Sequence, residues 1–220
     1  TVFNKKFRAW FATPEFLTSV VVAIAAAAAN CPEAKRPLIA PRLRLTSRSQ
    51  TTVIDASLPP VLIGERINPT GRKKLAAEIK DGSLLAVKKE AIAQSRAGAR
   101  VLDVNMGVAG IDQAAAMKRA VREISQITTT PLALDTSDAA ALEAGLRIYP
   151  GRALINSVSA EPERIARFLP LAKKYGAAIL CLPLTENGVP KTAEDRVAAL
   201  QLILDAARKE GLTDGDFLLD

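Results

Sequence analysis

The 220-residue sequence contains no histidine. That absence removes Ser-His-Asp and Cys-His triads, His-ligated zinc or haem, and any imidazole acid-base step. Its two cysteines, Cys31 and Cys181, are too few for a tetrahedral thiolate site and too far apart for a CxxC redox motif. Free, inert thiols in a reducing, cytoplasmic compartment are the expectation, with Cys181 a small core residue rather than a nucleophile, since no base accompanies it. Aromatic residues are scarce, nine in all, which argues against a nucleic-acid surface built on stacking. There is no GxGxxG after a strand and no GxxxxGK[ST], so the usual dinucleotide and P-loop fingerprints are missing. The apolar run Val20 to Ala29 is too short for a membrane span of roughly 20 residues. Thr13, Pro14 and Glu15 ahead of it read as N-cap, first residue and first-turn carboxylate of an amphipathic or buried helix, not as a signal peptide.

What remains is a globular chain with 49% hydrophobic and 24% charged residues. Its net charge of +7 is concentrated in residues 1 to 60, which hold eight basic and three acidic residues. Adjacent Lys73 and Lys74 read as a solvated helix face. From Pro32 to Pro60, five prolines and a Ser/Thr-rich stretch predict an extended connector. Regular alternation follows. Strands are expected at 61–67, 101–104, 132–134, 153–155, 178–182 and 217–219. The helices between them fall at 72–80, 84–96, 112–126, 138–149 (capped by Ser137), 162–175 (closed by Gly176) and 193–210 (closed by Gly211). Thr192 and Asp195 have the spacing of a capping box. Six strands joined by helical crossovers define an α/β fold with a parallel sheet, either doubly wound or a (β/α)8 barrel.

The strand ends separate those two architectures by where polar residues fall. Glu65 and Asn68 follow the first strand, Asp103 and Asn105 the second, Asp135 the third, Asn156 with Ser157 the fourth, and Asp220 the sixth. The fifth, near Cys181 to Pro183, is the exception. In a barrel these positions converge on one face, where such folds bind their ligands. Each alone would serve as well as a helix cap or turn former. Carboxylates and carboxamides together suit a neutral heterocycle rich in N–H donors, because an Asp accepts two parallel hydrogen bonds while an Asn donates and accepts. A divalent metal is the other use of such residues, but its ligands usually come from one loop, and no metal site is assigned.

Several stretches together resemble a known family: VLIGERINPTG at Val61 to Gly71, LDVNMG at Leu102 to Gly107, PLALDTSD at Pro131 to Asp138 and YPGRALINSVS at Tyr149 to Ser159. They are similar to the pterin-binding methyltransferases, in particular the methyltetrahydrofolate-binding domain of cobalamin-dependent methionine synthase and the methyltetrahydrofolate:corrinoid methyltransferases. The resemblance covers residues 61 to 220 and implies a (β/α)8 TIM barrel of the pterin-binding type. It carries Glu65, Asn68, Asp135, Asn156 and Asp220 over as pterin-binding residues, with Asp103 and Asn105 matching the second-strand DVN. It names no catalytic residue in this chain. The implied reaction passes the N5 methyl group of methyltetrahydrofolate to the cobalt of a reduced corrinoid, such as cobalamin, carried by a partner domain or protein. The implied enzyme is thus a methyltransferase of one-carbon metabolism and methionine biosynthesis, with no nucleic-acid or membrane partner.

Two departures shape the expectation. The family barrel has eight strands, whereas this sequence reaches its sixth at Asp220, so an incomplete barrel with two unpaired edges is expected, poorly stable and inactive by itself. At the other end, Thr13 to Ala29 resembles the closing helix of the homocysteine-binding barrel that precedes the folate barrel in methionine synthase. Arg8 to Phe11 stand where that barrel has zinc-binding cysteines, so no zinc site is implied. Residues 1–60 are therefore expected to be an N-terminal helix and connector, and 61–220 the pterin-binding barrel. Two other functions share the fold: dihydropteroate synthase, and a non-catalytic pterin-type barrel that docks a corrinoid protein.

Overall fold

The computed structural model describes residues 13–30 and 42–220; Arg8 to Phe11 and Cys31 lie outside them. The chain divides into two units, Thr1–Ala40 and Pro41–Asp220. In the first, helix α1 spans Pro14–Ala29, and the Thr13 hydroxyl accepts from the Phe16 amide at 3.2 Å, the N-cap expected of the Thr-Pro-Glu start. On it Val21, Val22 and Ile24 are exposed, so this stretch is not a buried helix. No described helix is long and apolar enough to cross a membrane.

The second unit begins with a feature absent from the sequence reading. Part of the expected connector is an antiparallel hairpin, β1 (Leu43–Thr46) with β2 (Thr51–Ile54). Six parallel strands follow: β3 (Ile63–Ile67), β4 (Val101–Asn105), β5 (Leu132–Asp135), β6 (Leu154–Ser159), β7 (Ala178–Leu182) and β8 (Phe217–Leu219). Between them lie α2 (Lys73–Lys80), α3 (Leu85–Arg96), α4 (Gln113–Ile127), α5 (Ala139–Leu146), α6 (Pro162–Tyr175) and α7 (Ala193–Lys209). The strands pair in chain order, β3-β4-β5-β6-β7-β8. A doubly wound sheet would reverse its order at a switch point; uninterrupted order is the arrangement of a barrel wall. The outermost strands, β3 and β8, leave Ile63 and Leu219 exposed, as expected of two free edges.

Local chemistry accounts for the helix ends. Thr192 caps α7 by accepting from Asp195 N at 3.1 Å, and Gly176 closes α6 at a φ of 63°, a left-handed conformation that favours glycine. One cap differs from expectation: Asp138, not Ser137, caps α5, accepting from Ala140 N at 2.8 Å. That helix stops at Leu146 rather than Tyr149, ahead of Pro150, which disfavours helical backbone at the residue before it.

Strand alternation divides the core in two. Leu102, Val104, Leu132, Leu134, Ile155, Ile179 and Cys181 face the helix layer and pack with residues such as Met117, Val121, Leu142 and Phe168. Their neighbours Val101, Ala133, Leu154 and Ala178 face the other way and form a separate cluster with Leu43 and Leu45 of the hairpin. The hairpin therefore plugs the N-terminal ends of the strands. The Tyr149 hydroxyl donates to Thr46 O at 2.8 Å while accepting from Leu132 N at 3.1 Å. Thr46 exchanges bonds with Arg152, and Thr52 Oγ1 donates to Arg100 O at 2.9 Å. At Gly151 any Cβ would lie 2.1 Å from Thr46 O, so the hairpin backbone sits where only glycine leaves room.

Candidate pterin-binding site

One strand step beyond the plug, the same inward face becomes polar. On β4 it carries Val101, then Asp103, then Asn105. On β5 it carries Ala133 then Asp135, and on β6 Leu154 then Asn156. In register, Asn105 lies beside Asp135 and Asp135 beside Asn156. The side chains join in two pairs. Asn105 Nδ2 donates to Asp135 Oδ2 at 2.8 Å, and Asn156 Nδ2 donates to Asp103 Oδ1 at 3.0 Å. The carboxamide oxygen of Asn105 accepts from Gly107 N at 2.8 Å, which fixes which way its amide points and hence the orientation of Asp135.

Asp103 is the centre of this arrangement. It is 2% exposed. Its Oδ2 and Ser125 Oγ are the buried side-chain atoms without a hydrogen-bond partner among the described residues. Burial pushes its carboxyl up to about 7, against the bond from Asn156, and the negative charges of Asp135 and Glu65 push in the same direction as burial. A buried acid at this value has one oxygen oriented and the other free to donate when protonated or accept when ionised. The chain thus presents, at the inward end of the strands, a buried polar group that wants a partner.

The first strand contributes a separate pair. Asn68 Nδ2 donates to Glu65 Oε1 at 3.2 Å, and its Oδ1 accepts from Thr70 N at 3.0 Å, so the turn holds the amide against the carboxylate. Glu65 and Asn68 line a cleft of about 300 Å³ with Arg66, Thr70 and Arg72. Arg66 and Arg72 bind Glu90 of α3 at 2.9 and 2.6 Å, and those contacts hold the Glu90 carboxyl below its usual range, the bond from Arg66 foremost. Asp220 is exposed, and its backbone N–H donates to Cys181 O at 3.1 Å; among the described residues no side-chain bond joins it to the other polar residues.

Sequence reasoning did not single out Gln94, which positions the first strand. Gln94 is buried on α3, its Oε1 accepts from Arg66 N at 2.8 Å, and its Nε2 donates to Glu90 O at 3.2 Å. A Cβ on Gly64 would come within 2.6 Å of that Oε1, which explains the glycine before Glu65. The signal was present: Val87, Ala91 and Gln94 occupy one buried helical stripe, and an amide there must have a backbone partner. Lys73 and Lys74 are exposed, as a solvated face requires, and Cys181 is buried in the core with its thiol pushed up to about 12 by burial. Among the described residues no group of His, Cys, Asp and Glu side chains is placed to hold a metal ion. A cavity of about 660 Å³, larger than the cleft beside Glu65, lies between α7 and the loop after β7, lined by Thr185, Val189, Lys191 and Leu202 and by none of the polar residues above.

A parallel barrel wall with this polar layer at its strand ends is the frame of a pterin-binding enzyme. Residues 64–220 match the pterin binding enzyme family, and the chain belongs to it. It is 35% identical over 176 residues to methionine synthase of Mycobacterium tuberculosis (strain ATCC 25618 / H37Rv), an alignment that covers 76% of this chain and 14% of that protein. It is 29% identical over 165 residues to methylcorrinoid:tetrahydrofolate methyltransferase of Eubacterium limosum, covering 73% of this chain and 59% of that one. The chain thus spans a small part of the methionine synthase and less than two thirds of the second relative. Among solved structures, 7,8-dihydropteroate synthase from Vibrio fischeri ES114 superposes with a TM-score of 0.58 at 20% identity, over 81% of this chain and 66% of that one, a likeness of fold.

Proposed function

We propose that this chain binds methyltetrahydrofolate at the C-terminal ends of β3 to β6 and serves a methyltransferase that moves the N5 methyl group between the folate and a corrinoid. The observation that carries this reading is the unpartnered Oδ2 of Asp103, buried within one strand step of Asn105, Asp135 and Asn156. A pterin ring offers an amino group beside a ring N–H, two parallel donors that a carboxylate accepts together. Asp103 and Asp135 are the acceptors, Asn105 and Asn156 hold them at fixed angles, and Glu65 with Asn68 closes the side toward the first strand. Pairing with N–H donors favours the ionised form, so binding draws the Asp103 carboxyl down from about 7 and releases a proton near neutral pH.

The polar layer contributes orientation and electrostatics. A tertiary amine leaves poorly unless N5 gains a proton or a strong hydrogen bond as the methyl departs. A ring held along its donor edge keeps the methyl group in line for attack without further ordering. A reduced corrinoid, when bound, supplies the cobalt nucleophile. The Eubacterium limosum relative is named for transfer from methylcorrinoid to tetrahydrofolate, and a site complementary to one transition state serves both directions.

The test is calorimetric titration of methyltetrahydrofolate into the 220-residue chain and into a version extended by two further βα units. Binding that Asp135→Ala and Asn156→Ala abolish is the expected result, and methyl exchange with a reduced corrinoid protein is the assay that follows. A well-folded protein that ignores the folate yet binds a corrinoid protein would overturn this reading in favour of a docking scaffold.

A further inference from the structure

The two carboxylate–amide pairs stand at a place where the sheet stops holding itself. Asp135↔Asn156 is the last matched pair of the β5–β6 ladder, since β5 ends at Asp135; on its other side β6 loses register with β7 after Ile155 and regains it at Val158. The residues that follow, Thr136 and Ser157, have no strand partner to fix their separation, yet they are one bond from the side chains that must be held.

Arg164 occupies this gap. It projects from the first turn of α6, and its Nη2 donates both to Thr136 O at 3.0 Å and to Ser157 O at 2.8 Å. Its Nε donates to Ser157 O at 3.0 Å, and its guanidinium lies 4.0 Å from the centre of the fully buried Phe168 ring. Its partners differ from those of its neighbours. Arg167 on the same helix pairs with Glu163 at 3.1 Å, whereas Arg164 makes no ion pair among the described residues and spends its planar fork on two neutral carbonyls. A half-buried cation so placed is costly unless every donor has a function. Burial accordingly depresses its pKa, against the attraction of Glu161 and Asp135.

We propose that Arg164 is a positioning residue, a clasp that takes over from the β5–β6 ladder and sets Asp135 and Asn156 at the spacing the ligand requires. The guanidinium plane is essential to this role: Nε and Nη2 hold Ser157 O between them while Nη2 also reaches Thr136 O and the plane stacks on Phe168, and a lysine ammonium has neither the second nitrogen nor a plane to stack. Its consequence for folate rests on the function proposed above, but its effect on the site's geometry does not.

The experiment is therefore read in two ways, with Arg164→Ala and Arg164→Lys in the full 220-residue chain. The first readout needs no ligand: the side-chain amide NMR resonances of Asn105 and Asn156, with those of Asn68 and Asn187 as references. Arg164→Ala should shift or broaden the first two and leave the references in place, and Arg164→Lys should not restore them. The lysine variant carries the test if the alanine form does not fold. The second readout is methyltetrahydrofolate affinity, expected to fall about tenfold or more in both variants, as misplacement of binding groups produces. Unchanged Asn105 and Asn156 resonances, or their full restoration by lysine, would overturn the clasp. If neither the unaltered chain nor its extended version binds folate, the proposed function falls, and the resonances still decide the role of Arg164.

Discussion

The two ends of the same strands carry opposite chemistry. At the N-terminal end the inward residues Val101, Ala133 and Leu154 meet Leu43 and Leu45 of the hairpin, and Tyr149, Thr46 and Arg152 tie that hairpin down with satisfied hydrogen bonds. Two residues further along each strand the inward face holds Asp103, Asp135 and Asn156, with one buried oxygen left unpaired. Because side chains alternate, one step of a strand is enough to pass from an apolar, packed end to the polar end proposed to bind. The division of labour means that substitutions at one end should move stability, and at the other affinity.

The largest expected effect is at the plug. Leu45 is fully buried, and Leu45→Ala should lower unfolding free energy by about 3 kcal/mol in a denaturant titration, without altering ligand affinity of the folded fraction. Asp103→Asn should break the symmetry in the other direction, raising stability while weakening binding. In the folded chain this carboxyl sits at about 7, against an ordinary value of 3.8, so it holds its proton more tightly folded than unfolded. The stability it contributes is complete below the lower value and is lost as pH rises through the higher one. Asp103→Asn should therefore be more stable than the unaltered chain at pH 8, by on the order of 2 kcal/mol, and the gap should close toward pH 4. A gap independent of pH would contradict the burial argument. Tyr149→Phe removes a donor to Thr46 and the acceptor for Leu132 N, for an expected loss of about 1–2 kcal/mol and no change in affinity. Lys73→Ala, on an exposed helix face, should stay within about 0.5 kcal/mol of the unaltered chain by the same measurement.

The wall of the fold was legible because the polar and apolar periods were unambiguous. The run Val101 to Val104 and the closing glycine at Gly176 fall where the structure has them, and the alternation of strand and helix left two architectures of which the strand order selects one. The hairpin was hidden by composition. The prolines that flank it and its own hydroxyl residues look like a connector, and the strands are four residues each, stabilised by contacts with Gly151, Arg152 and Tyr149, about a hundred positions away, that no local pattern shows.

The polar layer was legible residue by residue, its pairing was not. Nothing local distinguishes Asp103, the most buried of the set, from Asp135 or Glu65; that follows from register, which depends on three strands at once. Arg164 was equally invisible, since its i,i+4 neighbour Phe168 suggests a stack but not the two carbonyls across the sheet.

The most direct test of the binding end is calorimetric titration of methyltetrahydrofolate at pH 7 in two buffers of different ionisation enthalpy, which reads the proton count of binding. Binding is expected to release a net fraction of a proton, and Asp103→Asn to lose that release. Binding with no proton exchange, or with an exchange that Asp103→Asn leaves intact, would contradict the place given to Asp103 at the centre of the site.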